Sequence, residues 1–255
     1  MKKITRTLLA ATAAITLTGG LWSVPAGAAA PNWKASYKEY IKQMMKSDNG
    51  HLNSQDAEVV LIDLNRDGIP ELIAGESYRT VNTVVAAVTF RNGKVVKLQQ
   101  SGDGQGEESP INFNLGMSAF SVKSNNLKLY KISKTGEYIY IGEDGGSSAI
   151  SWSGGDYAIR MNGTSLLSTE ISTFSGSDDE GNEYENYSFN KKAVSKKDYD
   201  RLQKTYYAKM KEVKSGAVSV RPQDLYDFEQ EKANVAGIER FLNSFKPIST
   251  AGQKK

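Results

Sequence analysis

Oxygen-bearing side chains alternate along Asp63-Leu64-Asn65-Arg66-Asp67-Gly68-Ile69-Pro70-Glu71, and a glycine stands where such a chain must bend sharply. This spacing suits a hard cation. Calcium takes six to eight oxygens, and in loops of this kind the first, third and fifth residues give side chains, the sixth is Gly and the seventh gives a backbone carbonyl. The ligand set read here is Asp63, Asn65, Asp67, the carbonyl of Ile69, and Glu71 as the carboxylate that closes the site. Asp63, Asp67 and Glu71 would repel one another without a cation between them. Three formal charges point to weak extracellular-type affinity, with a dissociation constant on the order of 0.1 to 1 mM. Leu64 and Arg66 are expected to point away from the ion. The alternative is a polar turn whose Asx side chains cap their own backbone.

The twelfth position of the loop is Ala74, where an EF-hand has a bidentate Glu, and both flanks are strand-like instead of helical. The phrase from Asp63 to Ile73 resembles the Asp-x-Asn-x-Asp-Gly-x-Pro-Glu-Leu segment of secreted and surface proteins of Gram-positive bacteria, and is similar to the calcium loops of FG-GAP or VCBS repeats. That resemblance covers some fifteen residues. It implies a strand-loop-strand calcium turn on Asp63, Asn65, Asp67, Ile69 and Glu71. Such repeats build propellers from several copies, and no second copy is found here.

Other chemistry is thinner. The single histidine, His51, lies in a turn beside Asn49-Gly50, and there is no cysteine. A Ser-His-Asp hydrolase would have only His51 as its proton carrier, which reads as a surface residue, and no Gly-x-Ser-x-Gly elbow occurs; a histidine- or thiolate-based zinc site and a disulfide framework lack their residues. Gly102 to Glu108 has the glycines of a phosphate loop but no Lys-Ser or Lys-Thr, and its acids would repel phosphate. A polysaccharide hydrolase needs only two carboxylates, and Glu107, Glu108, Glu143 and Asp144 are candidates without a ranked pair. Trp152 and Tyr157 could stack on sugars in a cell-wall or carbohydrate-binding module, or could be core. Asp178 to Glu183 is acidic without alternate spacing and reads as a solvated hairpin tip. The reading is of a binding or structural module rather than an enzyme.

The chain opens with Lys2, Lys3 and Arg6, an apolar run from Leu8 to Trp22, and small residues to Ala30, the layout of a signal peptide cut after Ala28. The run is too interrupted for a membrane span. Secretion is therefore expected, with the mature chain released or held at the wall by non-covalent contacts. The leader takes three of the 32 basic residues, leaving 29 against 29 acids, so the mature chain is near neutral and lacks the basic excess of a nucleic-acid binder.

These segments need a scaffold. Trp33, Tyr37, Tyr40, Ile41 and Met44 recur at helical spacing behind the cap Asn32, so 33–46 is expected to be an amphipathic helix with an aromatic core stripe. From Glu58 to about Val194, short β-branched and aromatic runs alternate with turns, including Asn92-Gly93 and Asn162-Gly163. The expected strands are 59–62, 72–74, 83–90, 95–98, 127–132, 138–141, 157–161, 165–174 and 184–189. Ser101–Glu108 and Glu143–Gly155 are expected to be exposed Gly-rich loops. A helix should start at Ser195 and carry Tyr199, Leu202, Tyr206 and Met210; a last one should start near Pro222. The fold class is α+β: an antiparallel β-meander sheet with a short N-terminal helix and two C-terminal helices, residues 29–246, followed by a frayed tail, 247–255.

Overall fold

The computed structural model describes residues 32–47, 50–78, 80–101, 115–179 and 182–248. These belong to one unit, Asn32–Lys255. The expected signal segment, the Gly-rich stretch 102–108 and the tail from 249 lie outside the described residues.

The fold is mixed α+β, as expected. Helix α1 (Trp33–Ser47) is capped by Asn32, whose Oδ1 accepts from the Ala35 N–H at 3.1 Å, and buries Tyr37, Ile41, Met44 and Met45. Strands β1 (Ala57–Ile62), β2 (Glu71–Tyr78), β3 (Val81–Arg91), β4 (Lys94–Lys97) and β5 (Gln99–Ser101) follow, then β6 (Leu127–Ile132), β7 (Tyr138–Ser147), β8 (Ser151–Asn162), β9 (Ser165–Asp179), β10 (Asn182–Phe189) and β11 (Lys192–Val194). Helix α2 (Lys196–Tyr207) starts on Ser195, whose hydroxyl accepts from Asp198 N–H. Strands β12 (Met210–Val213), β13 (Val218–Val220), β14 (Tyr226–Asp227) and β15 (Lys232–Ala233) lead to α3 (Val235–Ser244).

Two large sheets form instead of one meander. The first runs β13-β1-β2-β3-β4 and the second β11-β10-β9-β8-β7-β6-β12, with β5 added parallel to β9. The reason lies in β1, where all six residues are buried. Successive side chains of a strand point to opposite faces. Ala57, Val59 and Leu61 enter one apolar cluster with Tyr37, Ile41, Ile238 and Phe241 from α1 and α3. Val60 and Ile62 enter a second, with Tyr140, Ile159 and Leu166 from the other sheet. The outer face of the second sheet buries Ile139, Ile141, Ile171 and Phe189 under α2. The layers are thus helices, sheet, sheet, helix. Full burial of each such aliphatic side chain contributes roughly 1.5 to 3 kcal/mol.

Three expectations need correction. Glu143–Gly155 is not a loop: β7 and β8 pair through it, with Glu143 opposite Asp156 and Gly145 opposite Gly154. Its glycines serve close approach, since a Cβ on Gly145 would stand 2.5 Å from the Ser153 carbonyl oxygen. Met210 belongs to β12, paired with Ile132, and not to the face of α2. The last helix does not begin near Pro222, where a three-residue turn gives way to the small β14–β15 hairpin. It begins at Val235, where the Asn234 side chain caps Gly237 N–H at 3.0 Å. Among the described residues no helix is long and apolar enough to cross a membrane.

Candidate metal centre

The loop 63–70 joins β1 to β2, and Ile62 opposite Glu71 is the pair that closes it. Both flanks are therefore strands. Gly68 has φ 89° and Arg66 φ 62°, so the chain turns through the left-handed region twice, once at the glycine that tolerates it without cost. Arg66 is held there with its guanidinium 4.0 Å from the Tyr138 ring centroid. Leu64 turns into the apolar layer between the sheets. Both side chains thus leave the loop's centre to the oxygens.

Asp63 is only 3% exposed. Its Oδ2 accepts from Gly68 N–H at 3.0 Å, whereas Oδ1 is buried without a hydrogen-bond partner. Asn65 Oδ1 accepts from Asp67 N–H at 2.8 Å, Asp67 Oδ1 accepts from Ile69 N–H at 2.8 Å, and Asn65 Nδ2 donates to Asp67 Oδ2 at 3.0 Å. These are Asx turns, the self-capping that the polar-turn reading anticipates. Glu71 is fully buried: Oε2 accepts from Leu64 N–H at 2.8 Å and Oε1 from the Thr89 hydroxyl at 3.0 Å. The Tyr37 hydroxyl donates to the Pro70 carbonyl at 2.7 Å, fixing the loop's exit to α1.

The electrostatics follow from burial. Desolvation pushes the Glu71 carboxyl up to about 8 against its two hydrogen bonds, and the charges of Asp63 and Asp67 push the same way. Desolvation also raises Asp63, opposed by the backbone donor of Gly68 and then by the N–H groups of Arg66 and Asp67, neither of which reaches Oδ1 in hydrogen-bond geometry. Tyr37 is raised by burial first and by Glu71 second.

The sequence-read ligands thus share one hairpin loop, but they do not form a finished cage. Among the described residues no three acidic or histidine side chains stand together as a metal-holding group. Asn65 and Asp67 cap the turn, and Glu71 directs both oxygens at protein donors. Each of those oxygens keeps a second lone pair. The fit to a cation therefore rests on Asp63 Oδ1, an unpaired buried carboxylate oxygen, with Asn65 and Asp67 able to swing onto the same ion because their mutual contact is exposed.

The remaining candidates separate. His51 is about half exposed, with Nδ1 3.8 Å from Glu76. Asp179 and Asn182 pair at the end of the β9–β10 hairpin, where an acidic tip was expected. Asp144 is a structural tie, accepting from Asn82 Nδ2 at 2.7 Å, from Gly116 N–H at 2.9 Å and from Ser118. Tyr157 packs against the cluster between the sheets, but Trp152 lies on the opposite face of the second sheet and lines a cleft under α2. Reading the sequence missed Asp156, Tyr187, Tyr199 and Gln203, which join that cleft; the alternation Trp152-x-Gly154-x-Asp156 was the available signal. Desolvation raises the Asp156 carboxyl despite hydrogen bonds from Tyr207, Ser172 and Gln203. No protein family, curated protein or solved structure matches the chain.

Proposed function

We propose that this is an exported calcium-binding module in which one ion at the β1–β2 turn locks two core strands together. Asp63, Asn65, Asp67, the Ile69 carbonyl and Glu71 are the ligand set of this reading, and its role is structural. The observation that carries it is the buried, unpaired Oδ1 of Asp63 at the end of the fully buried strand β1. An unsatisfied charged oxygen at such a place is costly, and a cation satisfies it. Export is the part of the proposal that rests on the leader, residues 1–28.

Direct titration tests the binding. Calcium added to the chain from Ala29 onward should give one saturable site per chain with a dissociation constant on the order of 0.1 to 1 mM. Magnesium should bind more weakly, because it demands stricter octahedral geometry. Asp63→Asn should weaken calcium by tenfold or more, about 1.4 kcal/mol. Absence of saturation at about 10 mM calcium, a free energy no better than about −3 kcal/mol, overturns the proposal.

A further inference from the structure

The face of the second sheet beneath α2 carries an arrangement that the calcium loop does not use. Cross-strand pairing places Ser147, Trp152, Gly176 and Glu185 in one row across β7, β8, β9 and β10, and Gly145, Gly154, Phe174 and Tyr187 in the next. Glycine occupies three of these eight positions, which hollows the face. The hollow is filled by rings lying flat. A Cβ on Gly176 would fall 2.3 Å from the Trp152 indole, and one on Gly154 would fall 2.7 Å from the Phe174 ring. Each ring therefore rests one side on a glycine of the next strand. Trp152, Phe174 and Tyr187 are part-exposed and belong to none of the three apolar clusters among the described residues, and the buried Tyr199 ring stands behind them. They line a cleft of about 510 Å³ instead.

The rest of the wall is polar and fixed in place. Gln203 Nε2 on α2 donates to Asp156 Oδ2 at 3.0 Å, to Ser172 Oγ at 2.9 Å and to the Tyr199 hydroxyl at 3.0 Å. The Tyr187 and Tyr199 rings meet at 5.1 Å. Lys196 reaches over Tyr187, with Nζ 3.0 Å from its hydroxyl. Glu143 lies directly across from Asp156, and Glu185 and Asp200 complete the acids of the wall. Four carboxylates against one lysine make the cleft negative.

We infer that this cleft binds a glycan of neutral or amine-bearing sugars. Pyranose rings present C–H faces that pack on flat aromatic rings, and their hydroxyl and amino groups donate hydrogen bonds that carboxylates and amide oxygens accept. The volume is in the range of small-ligand sites. The excess of carboxylates repels polyanionic glycans. This site stands apart from the β1–β2 turn and does not depend on calcium there.

The test uses the chain from Ala29 onward in EDTA, titrated with a cello-oligosaccharide, a chitosan oligosaccharide and an oligogalacturonate, read by calorimetry and by indole fluorescence. The neutral or the amine-bearing probe should bind, with a dissociation constant on the order of 0.1 mM, and the anionic one should not. Trp152→Ala should weaken binding by on the order of tenfold, and Tyr187→Ala by a similar factor. Tyr184→Ala removes an exposed tyrosine from the other face of β10 and should leave affinity unchanged. Circular dichroism and a melt on each variant establish that it folds. No binding of either favoured probe at about 10 mM overturns the inference, as does affinity indifferent to both cleft variants or preference for the oligogalacturonate.

Discussion

Glu71→Gln should remove most of the pH dependence of stability between pH 5 and 8 when calcium is chelated. In the folded chain the Glu71 carboxyl titrates at about 8, against an ordinary 4.5, because it is fully buried between strands. The folded state therefore holds a proton that the unfolded chain gives up. Its contribution is fully present below about pH 4.5 and is lost as pH rises through 8, a change of roughly 3 to 5 kcal/mol from this one group. Asp63, also raised by burial, adds a loss of the same sign. Gln at 71 keeps an amide oxygen for Leu64 N–H and carries no charge to desolvate. Urea midpoints at pH 5, 6.5 and 8 should fall steeply for the wild-type chain in EDTA and much less for the variant. Parallel curves would mean that Glu71 is ionised in the folded state without a cation. Saturating calcium should flatten the wild-type dependence, because a bound cation favours the carboxylate and binding then releases a proton.

Glu58→Ala should destabilise the fold by about 3 to 5 kcal/mol, because three donors lose their acceptor at roughly 1 to 3 kcal/mol each. Glu58 is 5% exposed on β1 and accepts from the Ser121 hydroxyl at 2.7 Å, from Val122 N–H at 3.1 Å and from Lys123 N–H at 2.9 Å. These donors form the turn after Met117–Phe120, whose Met117 and Phe120 are fully buried between the sheets. Alanine leaves two backbone N–H groups and a hydroxyl without an acceptor. A melting point lower by roughly 10 °C or more is expected for a chain of this size. Glu58→Gln keeps one acceptor oxygen and should cost about half as much. A Glu58→Ala melt within 2 °C or so of wild type would show that water replaces the carboxylate at that turn.

What could be read in advance followed local chemistry. The Asn92-Gly93 turn was legible because both residues adopt positive φ, 52° and 77°, as a two-residue hairpin requires. Helix α2 was legible from the Ser195 cap, and the Asp63 loop from its alternating oxygens between β-like flanks. The missed parts depend on distant partners. β12 and β13 are four and three residues long and are made strands by pairing with β6 and β1 across long stretches of chain. Glycines 142, 145 and 155 resemble loop punctuation until the neighbouring carbonyls that leave no room for a Cβ are seen, and Gly154 until the Phe174 ring beside it is seen. The cleft was half visible: Trp152 was singled out, but its aromatic companions come from β9, β10 and α2, and Tyr157 proved to face the opposite way. At the loop itself, spacing identified the oxygens but carried no information on which would be occupied by backbone donors.

The central claim is that calcium at the β1–β2 turn stabilises the fold, and a thermal melt of residues 29–255 tests it most directly. The chain is melted in excess EDTA, then in calcium up to a few millimolar, with magnesium as control. At tenfold saturation calcium should stabilise by roughly 1 to 2 kcal/mol, a rise of about 3 to 6 °C, because it binds only the folded state. Asp63→Ala and Asp67→Ala should each abolish that rise. Superimposable melts in EDTA and calcium, or a rise that persists in both variants, would contradict the account and leave Asp63 to Glu71 as a self-capped polar turn.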